Sequence, residues 1–215
     1  MTALGHRMRV VIADDHPVVR RGLKAIVEGA LRFANVDEAG NAAELLTLVR
    51  KREPDVVLLD IAMPGRSGLE ALKELRGEHP RVPVLVLSVH SEDQFAVRSI
   101  RAGASGYLTK DSAPEELVDA IRTVVTGRRY LTPSVAECLA SAVETDANRP
   151  PHEMLSDREF HVLRMLAAGK TNGEVADELA LSAKTVSTYR TRALRKMGMR
   201  TNAELTQYAV RHGLV

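Results

Sequence analysis

Asp60 closes the apolar run Val56-Val57-Leu58-Leu59 and is followed by Ile61-Ala62-Met63-Pro64-Gly65. Asp14 and Asp15 close an earlier apolar run, Val10-Val11-Ile12-Ala13. A carboxylate at the C-terminal end of a buried strand is exposed at the sheet edge, and the Pro64-Gly65 turn is expected to keep the next segment clear of it. Carboxylates delivered by two strand ends suit a hard cation. Mg2+ prefers a near-octahedral oxygen shell with one or two carboxylates, several waters and phosphate oxygens. Without a cation, three converging carboxylates would repel one another. A carboxylate can also form an acyl phosphate, which makes Asp60 the best nucleophile candidate. Lys110 would neutralise the added charge, and the Ser88 hydroxyl could donate to a phosphate oxygen. Each residue taken singly also has a plain reading: a helix cap for Asp14-Asp15, a solvated lysine, a strand-end hydroxyl. Their joint placement is what argues for a site.

Such a site needs a sheet to hold it. Apolar runs near 9–13, 55–59, 83–87 and 106–108, with a weaker one near 33–36, alternate with helical periodicities near 17–28, 41–51, 68–77, 92–102 and 114–126. This alternation predicts an α/β domain with a parallel sheet and helices on both faces. The runs at 56–59 and 84–87 do not alternate in polarity, as expected of central strands buried on both sides. Open sheets of this kind bind ligands at the carboxyl ends of their strands. Asp14, Asp15, Asp60, Ser88 and Lys110 all fall on that edge. His16 is expected to cap or pack at the start of the first helix, and Pro80 and Pro83 to form strand-entry turns.

The second half lacks strand alternation. Four helices are expected near 157–168, 172–180, 183–197 and 202–212, with Ser156 and Glu159 as a capping box, Ser182 as a second N-cap, and Gly169 and Gly198 as C-caps. Before them, Glu144 to Glu153 is polar, contains Pro150-Pro151 and reads as an interdomain linker, preceded by an extra helix beginning at Pro133. The expected organisation is therefore an α/β domain over 8–128, a connecting helix and linker over 129–153, and an all-α four-helix domain over 154–215.

Composition sets outer limits. The 215 residues are 45% hydrophobic and 27% charged, with no Trp, so the cores must rely on Leu, Val, Ile and Ala. Cys138 is the only cysteine, which excludes an intramolecular disulfide or a cysteine metal site. Met1 to Met8 has no apolar core of signal-peptide length and no later run approaches a membrane span, so a cytoplasmic location without a membrane partner is expected. The net charge of +2 says little, but its distribution says more. Residues 1–130 carry 19 Lys/Arg against 18 Asp/Glu, whereas 155–215 carry 10 against 6. Between Ser182 and Arg200 stand Lys184, Arg190, Arg192, Arg195, Lys196 and Arg200 with no acid. That is an electrostatic footprint for a polyanion.

The helix expected over 183–197 divides into faces. Val186, Ala193, Leu194 and Met197 recur at core spacing. Lys184, Ser187, Thr188, Thr191, Arg192 and Arg195 lie on the other side, all polar or basic. A helix with one apolar and one basic stripe, preceded by a short helix and a turn, is what a helix-turn-helix needs to enter a DNA groove.

Val11 to Pro17, Asp60 to Gly65, Leu87-Ser88 and Gly103-Ala104-Ser105-Gly106-Tyr107-Leu108-Thr109-Lys110 resemble the receiver domain of two-component response regulators over residues 8–128. The resemblance implies a five-stranded flavodoxin-like fold in which Asp60 accepts a phosphoryl group from a sensor histidine kinase. It also implies Mg2+ held by Asp15, Asp60 and the Ala62 backbone carbonyl, with Asp14 acting mostly through water. Ser88 and Tyr107 correspond to the family's switch hydroxyl and switch aromatic. Ser88 is expected to move toward the phosphate, and Tyr107 to rotate into the space it leaves. Leu155 to Glu159, Gly169 to Asn172, Leu181-Ser182, Lys184-Thr185-Val186, Lys196-Met197-Gly198 and the C-terminal Glu204 to Val215 resemble the LuxR-type output domain of the NarL/FixJ class. That resemblance implies double-stranded DNA as a partner, contacted through Lys184, Thr185, Ser187, Thr188, Tyr189, Arg190, Thr191, Arg192 and Arg195. It also implies a homodimer paired through the helix at 202–212 on a two-fold site. The family often has His where Tyr189 stands and a basic residue where Ser187 or Thr191 stands. Thr185-Val186-Ser187-Thr188-Tyr189-Arg190 is similar instead to the GacA/UvrY-like branch.

Two rival functions share parts of this pattern. In a phosphotransferase or phosphatase Asp60 would turn over, but the first half offers no second domain or lid and no obvious general acid beside Asp60. In a receiver whose output is protein pairing, the C-terminal half would be an interaction bundle. Lys184, Arg190 and Arg192 argue against that.

Overall fold

A computed structural model describes residues 7–88, 94–144 and 150–215. The chain divides into two compact units, Met1–Ala140 and Ser141–Val215. In the first, strands β1 (Arg9–Ala13), β2 (Asn35–Ala39), β3 (Val56–Asp60), β4 (Val84–Ser88) and β5 (Gly106–Thr109) alternate with helices α1 (Pro17–Ala30), α2 (Ala42–Lys51), α3 (Gly68–Glu78), α4 (Gln94–Arg101) and α5 (Pro114–Val125). All pairings are parallel, in the order β2-β1-β3-β4-β5. The doubly wound α/β fold expected from the sequence is therefore present. The weak run at 33–36 becomes a strand two residues later, because Phe33 holds a positive φ of 69° and turns the chain first. The expected start of α4 at 92 lies outside the described residues.

The strands are hydrophobic because both faces are covered. Val10, Ile12, Val56, Leu58, Leu85, Leu87 and Leu108 pack with Val27 of α1 and Leu117, Ile121 and Val124 of α5. Alternation along a strand sends Val11, Ala13, Val57, Leu59 and Val86 to the opposite face, where they are equally buried. Each such Val, Leu or Ile side chain taken fully out of water contributes about 1.5–3 kcal/mol. Such burial on both faces leaves the C-terminal ends of β1, β3 and β4 fixed relative to one another.

The unit does not stop at 128. Tyr130 forms a parallel bridge with Gly106, packs on the same core and donates its hydroxyl to Glu116 Oε1 at 3.3 Å. Helix α6 (Pro133–Glu144) begins at the proline, as expected.

The second unit holds α7 (Asp157–Ala167), α8 (Asn172–Glu178), α9 (Ala183–Lys196) and α10 (Asn202–Arg211). Ser156, Thr171 and Thr201 each close a capping box with Glu159, Glu174 and Glu204, and Ser182 caps α9 through the Thr185 N–H. Gly169 and Gly198 follow α7 and α9 with positive φ. Pro151 to Glu153, which the sequence assigned to the linker, instead join Met154 in a 3-10 helix with His152 buried and its Nδ1 2.7 Å from the Tyr208 hydroxyl. Polar composition concealed this, since a histidine can be buried once its ring nitrogen finds a partner. Among the described residues no helix is long and apolar enough to cross a membrane.

Candidate phosphoacceptor site and nucleic-acid face

The sheet brings the carboxylates together because β1 and β3 are neighbours in register, with Ala13 opposite Leu59. Asp60 is the last residue of β3, and Asp14 and Asp15 follow β1. These strand-end carboxylates are not exposed at the edge as expected: Asp14 and Asp60 are each 1% exposed, covered by Lys110, while Asp15 is half-buried. Lys110 follows β5 and reaches across β4, placing Nζ 2.7 Å from Asp60 Oδ2 and 2.6 Å from Asp14 Oδ2. The Lys110 side chain is only 8% exposed. The Ala62 N–H donates to Asp60 Oδ1 at 2.9 Å. Asp60 therefore has one oxygen held by the backbone and the other by a cation.

Burial pushes the Asp60 carboxyl above the ordinary carboxylate range, against the lowering effects of Lys110 and the Ala62 N–H; nearby Asp14 raises it further. Burial alone would lower Lys110, but the two carboxylates more than offset it and hold the ammonium above its ordinary value. The charged states of acceptor and lysine are thus mutually dependent.

Asp14, Asp15, His16 and Asp60 can each offer one ligand atom within 4.8 Å of the others. Asp14 Oδ2 and Asp15 Oδ1 are buried without an aligned hydrogen-bond donor. The contact of Asp14 Oδ2 with Lys110 is an ion contact lacking hydrogen-bond alignment. Two under-satisfied carboxylate oxygens beside a third carboxylate form the oxygen-rich donor set that Mg2+ takes, so the residues fit that ion. His16 occupies the N-cap of α1, but its side chain makes no capping bond. Its Nδ1 lies 2.9 Å from Asp15 Oδ1, while its N–H donates to Asp14 Oδ1 at 2.8 Å. His16 thus stands at the start of α1, where the sequence placed it, with its ring against Asp15.

Ser88 ends β4 and is fully buried, and its carbonyl accepts the Lys110 N–H at 2.7 Å. Hydroxyl and lysine are therefore tied through one backbone bond. Tyr107 is also fully buried, so the ring expected to rotate inward is already inside in this structure.

The turn after Asp60 leaves the carboxylate clear but brings the next segment back onto the Asp60 backbone. Gly65 has φ 71°, with open space about its α-carbon. The chain then returns, and Gly68 N–H donates to the Ile61 carbonyl at 3.3 Å. A Cβ at Gly68 would sit 2.1 Å from the Asp60 carbonyl oxygen. The start of α3 is pressed against the acceptor's backbone.

In the second unit α7 packs on α9 and α10, and α8 on α9. Val186, Ala193, Leu194 and Met197 are buried, as their core spacing predicts. Lys184, Thr188, Thr191, Arg192 and Arg195 are exposed. At about 100° per residue these five share an arc of about 100°. The other four proposed contacts are placed elsewhere. Tyr189 is half-buried against the cluster of Val162, Leu166, Val175 and Val186. Arg190 Nε donates to Asn202 Oδ1 at 2.6 Å. Ser187 Oγ accepts from Asn172 Nδ2 at 3.2 Å, and Thr185 is held at the Ser182 cap. Spacing showed the polarity of these residues but not that neighbouring helices engage them.

The first unit and the second match different families. The response regulator receiver domain matches residues 10–122, and the luxR family of bacterial regulatory proteins matches residues 153–209. The chain is 39% identical over 209 residues to the response regulator GacA of Pseudomonas viridiflava, covering 97% of this chain and 98% of that protein. It is 38% identical over 208 residues to the response regulator UvrY of Escherichia coli K12, covering 96% and 95%. Among solved structures it resembles RcsB from Salmonella enterica serovar Typhimurium, bound to promoter rprA in the presence of the phosphomimetic BeF3-. The TM-score is 0.63 at 26% identity, covering 94% of this chain and 98% of that one.

Proposed function

Because this chain belongs to the two-component response regulators, transcription regulators with a receiver domain and a LuxR-type DNA-binding domain rather than turnover enzymes, we propose that Asp60 is its phosphoacceptor. A sensor histidine kinase is the proposed donor. The observation that carries this reading is the buried Lys110 ammonium within 2.7 Å of both Asp60 and Asp14. It opposes the upward pull of burial on the Asp60 carboxyl and faces the oxygen on which negative charge would accumulate.

In the proposed transfer an Asp60 oxygen forms a bond to phosphorus as the donor's phosphohistidine N–P bond breaks. The electron pair returns to the imidazole, which takes a proton from solvent. Asp14, Asp15, Asp60 and the Ala62 carbonyl would hold Mg2+, which when bound supplies positive charge for the phosphoryl oxygens. Lys110 pairs with the new phosphoryl group, and Ser88 donates its hydroxyl. Phosphorylation adds about −1.5 to −2 charge units. Ser88 and Lys110 share a backbone hydrogen bond, so displacement of either strand end is felt by β5 and by Tyr107. Domain output follows only if a partner surface binds one arrangement better than the other.

For the second unit we infer that the exposed arc of Lys184, Thr188, Thr191, Arg192 and Arg195 meets double-stranded DNA, with the chain paired as a homodimer on a two-fold site. Tyr189, Arg190, Ser187 and Thr185 shape that surface from behind or from its rim.

The test is phosphorylation by a small-molecule phosphodonor with Mg2+. The intact chain should acquire an acid-labile phosphoryl group that Asp60→Asn abolishes. Labelling retained by Asp60→Asn would move the acceptor elsewhere and overturn the assignment.

A further inference from the structure

A second charged site lies on the opposite edge of the sheet. Pro83, Ser105 and Gly103 precede β4 and β5, so they stand at the N-terminal ends of the strands whose C-terminal ends carry Ser88 and Lys110. With about 3.3 Å per residue, a five-residue strand separates the two edges by about 15 Å. At this far edge a cleft of about 440 Å³ is lined by Arg76, Arg81, Arg128 and Arg129, with the apolar walls Pro80, Pro83 and Val125. No acidic side chain lines it.

The four guanidiniums are not spent on ion pairs, since none of them lies within salt-bridge distance of a carboxylate among the described residues. Arg76 is held in place. It donates to the Pro80 carbonyl at 2.8 Å and to Ser105 Oγ at 3.2 Å, and its side chain lies where a Cβ on Gly103 would be, 2.9 Å away. Its Nε is buried without a partner. Burial and the nearby Arg129 both pull the Arg76 guanidinium below its ordinary value, so the free cleft disfavours its own positive charge. The carboxyl ends of α3 and α5 border the cleft and offer some compensation. Each is equivalent to only about half a negative charge, against four cations. A positive excess of about three units therefore faces a concave, partly apolar pocket of small-ligand size.

We propose that this cleft binds a small phosphorylated anion carrying at least two negative charges, of the size of a nucleoside diphosphate. Arginine forks match phosphate oxygens two at a time, and their planes can stack on a flat ring, which accounts for both the charge and the apolar wall. An extended polyanion such as duplex DNA would need a groove or a protruding basic stripe rather than a cleft with a half-buried arginine at its base.

The test is calorimetric titration of the full chain with inorganic pyrophosphate and with ADP, alongside Arg81→Gln/Arg129→Gln and Arg76→Gln variants. Both probes should bind the wild-type chain at 150 mM salt, and ADP should bind more tightly than pyrophosphate. The Arg81→Gln/Arg129→Gln variant, which alters only exposed side chains, should lose at least tenfold in affinity for both. Arg76→Gln should lose more, with unchanged circular dichroism showing that it has folded. Absence of binding at millimolar pyrophosphate overturns the proposal. So does equal binding by the double variant, or tighter binding of a short DNA duplex that Arg81→Gln/Arg129→Gln weakens. None of these readouts depends on whether Asp60 accepts a phosphoryl group.

Discussion

Replacing Lys110 with Met removes one cation from between two carboxylates that are each 1% exposed. At contacts of 2.6 and 2.7 Å and an effective dielectric of about 20, each attraction amounts to about 6 kcal/mol. With Asp14 and Asp60 ligand atoms within 4.8 Å, their mutual repulsion is at least about 3.5 kcal/mol on the same scale. Returning the ammonium to water offsets several kcal/mol, and removing one partner of such a buried pair costs about 3–5 kcal/mol net. The expected result in EDTA at pH 7 is a loss of that size in the receiver unfolding transition, followed by circular dichroism in urea. The sign with pH is fixed by Asp60. Its folded value is raised, so its contribution to stability is present below about pH 4, where an unfolded aspartate protonates, and is lost as pH rises through the folded value. Deleting Lys110 removes a lowering influence and enlarges that loss. The gap between variant and wild type should therefore shrink on acidification and reverse once the carboxylates are neutral, when wild-type Lys110 is a buried cation with no anion. Adding Asp60→Asn to Lys110→Met should recover part of the loss at pH 7. A change under about 0.5 kcal/mol at pH 7, or a gap that widens on acidification, would refute the reasoning.

Other expectations can be checked with equally simple measurements. Mg2+ at a hundred times its Kd should raise the stability of the receiver by about 2.7 kcal/mol, and Asp15→Ala should abolish that shift in thermal melts. Arg192→Ala should weaken DNA binding and reduce the salt slope by about one unit, whereas Arg190→Ala should change the slope less, because its guanidinium is engaged by Asn202. Ala180, in the turn between α8 and α9, has φ 50°; Ala180→Gly should stabilise the second unit by about 0.5–1 kcal/mol, the left-handed strain less the extra chain entropy of glycine, read from its urea midpoint. Glu159 is held below the ordinary carboxylate range: burial would raise it, but Lys196 Nζ at 2.6 Å and the Ser156 cap prevail. Glu159→Gln should cost about 1 kcal/mol at pH 7, a loss that fades as pH falls through the folded value, measured by pH-dependent unfolding.

Continuous apolar runs and patterns of period 3.6 were enough to read the parallel sheet, the four C-terminal helices and the convergence of Asp14, Asp60 and Lys110, because burial writes directly into residue type. Ser88 and Lys110 were legible as strand-end residues, but their shared backbone bond depends on the β4–β5 register. His152, Tyr130 and Tyr189 were missed or misplaced for a common reason. An amphipathic side chain can bury its ring and satisfy one polar atom, and spacing does not reveal whether a partner waits. The 3-10 helix Pro151–Met154 was hidden by the Pro150-Pro151 pair, which marks a turn without saying whether that turn packs. The arginine cleft escaped because its members are scattered between Arg76 and Arg129, and only the fold closes that distance.

Gly65 and Gly68 stand three residues apart in the segment after Asp60, yet they answer to different currencies of selection. At 65 there is room for any side chain but the backbone is left-handed, so the position filters by chirality: asparagine is a tolerable replacement and valine a poor one. At 68 a methyl group would already overlap the Asp60 carbonyl, so the position filters by volume, whatever the torsion angle. A library randomised at both sites should therefore return a short, polar-biased alphabet at the first and a single letter at the second.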